Sequence, residues 1–113
     1  MTIVQNILVL LHFLGWAALF GGMVVQLREP AKRVNAAMRD GAGTAFLAGL
    51  LIVGVLEAGS DPVNNAKIGV KFVIGLVVLV LVMANVRKER LKDGVFYGIL
   101  GLTVANMVVA IFW

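Results

Sequence analysis

Four long apolar runs separated by short charged connectors leave this chain few possible folds. The runs cover about residues 3–27, 38–57, 67–86 and 95–113. Each approaches the ~20 residues that a helix needs, at ~1.5 Å per residue, to cross ~30 Å of hydrocarbon. The third is rich in Val, Leu and Ile, yet it is far too long for a strand and reads as a helix. Backbone polar groups find no partners in lipid, so each run must satisfy its own through helical hydrogen bonds. The predicted fold is all-α: a membrane-embedded, antiparallel, up-down-up-down four-helix bundle, with residues 1–113 forming one domain.

Charge gives the threading. The connector 28–40 carries Arg28, Lys32, Arg33 and Arg39, and the connector 87–94 carries Arg87, Lys88, Arg90 and Lys92. The middle connector has Lys67, with Lys71 just inside the third run. By the positive-inside rule the two basic hairpins are cytoplasmic and both termini lie outside. A formal net charge of +4 therefore reads as orientation in the bacterial inner (cytoplasmic) membrane; no nucleic-acid partner is expected. The N-terminus lacks a basic n-region and its apolar run is too long for an h-region, so the first helix is expected to remain in the mature protein.

Local signals refine the elements. Pro30 suits the first position of a helix, and a helix opening there is expected to run on into the second span. Gly59, Asp61-Pro62 and Asn64-Asn65 punctuate the middle connector, with Asn64 or Asn65 as a cap for the third helix. Gly94 marks the turn of the second basic hairpin.

The helix faces identify neighbours. Gln5, Leu8, His12, Gly15, Leu19, Gly22 and Gln26 share one side of the first helix, and a polar side in lipid must face protein or water. Gly41, Ala45, Ala48 and Gly49 share a narrow sector of the second helix. Gly94, Gly98, Gly101 and Ala105 do so on the fourth, while Thr103, Asn106 and Ala110 lie on a different face. Small residues let helices approach closely, and their surplus on the second and fourth helices leaves room for another subunit. Lys71, Gly75, Val78, Val82 and Asn85 share a face of the third helix.

Few groups offer chemistry. There is no cysteine, which removes disulfides and thiolate metal sites. No nucleophile elbow, zinc-protease motif, phosphate loop or dinucleotide fingerprint occurs, and neither a catalytic residue nor a metal site is expected. His12 is the only histidine. It suits a haem ligand or proton relay, or a neutral imidazole hydrogen-bonded between helices to Asn106, Thr103 or a backbone carbonyl. Its depth, about 13 Å from the outer boundary against about 10 Å for Asn106, allows the two to meet. Lys71 suits an ion pair with Glu57 or Asp61, or a cation site for an anionic ligand. Gln5, Asn85 and Asn106 are the other polar groups expected in the interior.

The stretch His12 to Gly22, the basic connector, the glycine-rich second span and Lys71-Phe72-Val73 together resemble two membrane families. These are the copper-resistance D type and the membrane protoporphyrinogen oxidase type, in which a histidine early in the first helix binds haem or copper. The resemblance implies a cofactor-binding role for His12. The whole chain, including the ending Ala105-Asn106-Met107-Val108-Val109-Ala110-Ile111-Phe112-Trp113, is more similar to small four-span bacterial integral membrane proteins.

Three functions follow as expectations. The first is a non-catalytic accessory or structural subunit, without cofactor, packing in the bilayer against a larger membrane complex, such as a respiratory one, or as a homo-oligomer. The second is a haem-binding redox protein with His12 opposite Met23, Met83, Met107 or a second chain's His12. The third is a small transporter or channel lined by Gln5, His12, Asn85 and Asn106.

Overall fold

The computed structural model describes residues 3–58 and 65–112. Four helices occupy them: α1 (Ile3–Val24), α2 (Ala36–Ala58), α3 (Asn65–Ala84) and α4 (Asp93–Phe112). Each is long and apolar enough to cross a membrane. No strand occurs among the described residues beyond one isolated antiparallel bridge, Lys32 to Leu91. Asp61 and Asn64, expected in the middle connector, lie outside the described residues.

The closest pairing is between α1 and α2, and glycine makes it possible. A Cβ built on Gly15 would lie 2.8 Å from both Ala45 Cα and Gly41 O. One built on Gly41 would lie 2.6 Å from Gly15 O and 2.5 Å from Leu19 N. These are backbone atoms that cannot step aside, so the two helices are in main-chain contact where only hydrogen fits. The contacts 15 to 41 and 22 to 35 run in opposite chain directions, so the hairpin is antiparallel.

Helix ends are closed by side-chain amides. After Val24 the chain tightens through Gln26 N–H to Met23 O and Leu27 N–H to Val24 O, both 3.2 Å. Gln26 Nε2 donates back to Gly22 O at 3.0 Å. After Ala84 the same device recurs, with Asn85 N–H to Val82 O at 3.2 Å and Asn85 Nδ2 to Leu81 O at 2.6 Å. Carbonyls that a terminating helix leaves free thereby find donors.

Pro30 does not open α2. Residues 29–35 are irregular, and the helix starts at Ala36 behind Asn35, whose Oδ1 accepts the Met38 N–H at 2.9 Å. The physical reason is prior engagement of the backbone. Arg33 N–H donates to Gln26 Oε1 at 2.9 Å, Gln26 Nε2 donates to Arg33 O at 2.8 Å, and Lys32 O accepts from Leu91 N at 2.6 Å. Groups committed to distant partners cannot join a helical ladder. Gly94 likewise lies inside α4, which begins at Asp93.

The two hairpins repeat one another. On α1 and the turn after it, Trp16, Leu19, Met23 and Gln26 are buried; on α3 and the turn after it, Gly75, Val78, Val82 and Asn85, each 59 residues further on, are buried. On α2, Met38, Gly41, Ala45 and Ala48 are buried; on α4, Phe96, Ile99, Thr103 and Asn106, each 58 further on, are buried. The Lys32–Leu91 bridge joins positions that are also 59 apart. The buried positions of the second hairpin thus repeat the spacing of the first, but larger residues stand where α2 has small ones, and α4 packs less closely on α3 than α2 does on α1.

Candidate functional site

His12 stands half-buried where α1 crosses α2, and both of its ring nitrogens have partners. Nδ1 lies 2.6 Å from Ala45 O; a carbonyl can only accept, so Nδ1 carries the proton. Trp16 Nε1–H donates to Nε2 at 3.1 Å, and an indole can only donate, so Nε2 is the acceptor. The ring is therefore the neutral Nδ1–H tautomer. Gly49 provides the space: a Cβ there would lie 2.9 Å from His12 Cε1. Trp16 is 8% exposed and meets the ring edge-on with centroids 6.0 Å apart. Its Cζ2 lies 3.8 Å from where a Cβ on Gly75 would be. His12, Trp16, Ala45 and Gly49 thus form a joint tying α1 to α2 and, through the indole, to α3.

This arrangement matches the expected interhelical hydrogen bond to a backbone carbonyl. It does not bring His12 to Asn106 or Thr103. Thr103 Oγ1 donates to Ile99 O at 2.8 Å, and Asn106, 6% exposed, has a buried Oδ1 with no partner among the described residues. Axial ligation of a haem by His12 requires one ring nitrogen to give up its present partner. Among the described residues, no group of three or more His, Cys, Asp or Glu could hold a metal ion.

Other expected residues fall in three groups. Gly41 and Ala45 are buried in the α1–α2 contact, and Gly49 faces His12. Gln5 is half-buried on α1, and Asn85 is buried at the end of α3. Glu57 is exposed and forms no ion pair with Lys71; the one ion pair among the described residues is Arg39 Nε to Asp40 Oδ1, 2.9 Å. Gly94, Gly98, Gly101 and Ala105 are exposed, and a Cβ on any of the three glycines would meet nothing within 4 Å. The α4 stripe packs on no other helix of the chain.

Sequence reasoning missed Trp16 as the donor to His12, although the i, i+4 spacing places both on one helix face. It also missed Lys32. This residue is 7% exposed, its Nζ donates to Glu29 O at 2.9 Å, and it lies 5.5 Å from the Phe96 ring centre and 5.7 Å from that of Tyr97. An aromatic pair opening α4 opposite a basic loop was the available signal.

No protein family, curated protein or solved structure matches the chain.

Proposed function

We propose that this chain is a multi-pass membrane protein acting as a non-catalytic structural subunit, with the small-residue face of α4 seated against another membrane-embedded subunit. The observation that carries this reading is the outward position of Gly94, Gly98 and Gly101. Glycine offers lipid little contact area, whereas a neighbouring helix can approach it to main-chain distance and gain dispersion along the crossing. The neutral, doubly bonded His12 supports a structural role over redox chemistry or conduction. In this reading the basic connectors 28–40 and 87–94 face the cytoplasm and both termini face outward.

The chain contains no cysteine, so single cysteines report cleanly. Gly98→Cys and Gly101→Cys, crosslinked in native membranes, should each capture one partner, either a larger subunit or a second copy. Gly54→Cys, on an equally open position of α2, should capture none. Equal or absent adducts at all three positions overturn the reading.

A further inference from the structure

Eight of the ten Lys and Arg and four of the six Asp and Glu lie in the two connectors and helix starts at one end of the bundle. That end therefore carries the whole formal charge of +4. Between the start of α2 and the end of α3 it opens into a cleft of about 450 Å³, lined by Arg33, Val34, Asn35, Ala36, Arg39 and Val86. A second cleft of about 430 Å³ shares Arg39 and is lined also by Asp40, Gly43, Thr44, Leu47 and Met83. Meeting at Arg39, the two shallow clefts lie side by side along α2, with Arg33, Arg39 and Asp40 at one end and Leu47 and Met83 at the other. The second cleft is open because Gly43 has no side chain; a Cβ there would meet only Met83 Cε, at 3.7 Å.

Hydrogen-bonding capacity remains at this end even though Asp40 offsets the charge of Arg39. Arg33 is exposed, and its guanidinium has no hydrogen bond or ion pair with any described residue. Arg39 spends its Nε on Asp40 at 2.9 Å, leaving both terminal nitrogens without a partner. Two guanidinium groups at one end, with Leu47 and Met83 at the other, match a phosphate bearing a net negative charge with hydrocarbon attached to it.

We propose that these two clefts bind one anionic phospholipid, its phosphate between Arg33 and Arg39 and an acyl chain along Gly43, Leu47 and Met83. Free phosphate shares the headgroup chemistry, but the apolar continuation fits only the lipid. The site is separate from the α4 face and does not depend on what that face binds.

The full-length protein in mild detergent is titrated with acyl-labelled phosphatidylglycerol and with phosphatidylcholine of the same chains. The wild type should prefer phosphatidylglycerol by on the order of tenfold. R33Q/R39Q should abolish that preference, and neither side chain supports the fold, since one is unpaired and the other meets only its neighbour. R87Q/K88Q, which removes as much charge from the other connector, should keep it. Gly43→Leu, which fills the second cleft, should weaken phosphatidylglycerol binding severalfold. The proposal is overturned if R87Q/K88Q costs as much as R33Q/R39Q, which makes the attraction diffuse, or if R33Q/R39Q binds like wild type. Displacement of the lipid by millimolar inorganic phosphate, or an undiminished Gly43→Leu, assigns the cleft to a free anion and also overturns it.

Discussion

Replacing Gly15 with alanine tests whether main-chain contact between α1 and α2 holds the joint together. The new Cβ would lie 2.8 Å from Ala45 Cα and from Gly41 O, against an ordinary contact of about 3.5 Å or more for such atoms. The helices must therefore separate by about 1 Å at the crossing. A gap of that size removes about a quarter to a half of each dispersion well along the interface. It also stretches the His12 Nδ1 to Ala45 O bond from 2.6 Å to beyond hydrogen-bonding range. Interhelical hydrogen bonds in membranes contribute about 0.6–2 kcal/mol, and overpacking typically costs about 1–3 kcal/mol. Gly15→Ala should then destabilise the bundle by about 2–4 kcal/mol. The assay is reversible unfolding in mixed micelles, followed by Trp16 fluorescence in a Trp113→Phe background, because the chain has two tryptophans. A double-mutant cycle with His12→Ala gives the sharper test. If separation already breaks the His12 bond, His12→Ala should cost much less in the Gly15→Ala background than in wild type, with a coupling of about 1 kcal/mol or more. Additive losses, or a neutral Gly15→Ala, would refute the reasoning.

Three further substitutions follow from the same geometry. Gly49→Ala places a methyl 2.9 Å from His12 Cε1 and should cost about 1 kcal/mol or more, whereas Gly43→Ala, with 3.7 Å to Met83 Cε, should stay within about 0.5 kcal/mol of wild type in the same unfolding assay. Gln26→Leu deprives the Arg33 N–H and the Gly22 and Arg33 carbonyls of a partner and should cost about 1–3 kcal/mol; hydrogen exchange should accelerate across residues 29–35, and unchanged protection there would count against a wired connector. The Cβ of Gly98→Leu would meet nothing within 4 Å, so the substitution should leave unfolding within about 0.5 kcal/mol of wild type while abolishing co-purification of the partner proposed for α4.

Much of this architecture is legible in the sequence because four long apolar runs allow so few solutions. Run length alone places four helices. The polar and small face of α1 is buried from Gly15 to Gln26 as its wheel implies, and Gly75, Val78, Val82 and Asn85 line the inward face of α3. What stayed hidden depends on tertiary partners. Pro30 carries a sound local signal for a helix start, but the Gln26 amide and the Leu91 N–H claim the backbone first. The wheel cannot say which of two α4 faces turns inward: Phe96, Ile99, Thr103 and Asn106 do, and the glycines do not. His12 could be narrowed to a few partners, but choosing Ala45 O required the crossing that Gly15, Gly41 and Gly49 create.

The pairing of Trp16 with Gly75 shows how the two halves have diverged. They occupy equivalent positions, yet one is the largest side chain available and the other is none, and the indole fills the space that the glycine leaves. A side chain at position 75 would therefore compete with the indole for the one space that joins α1 to α3.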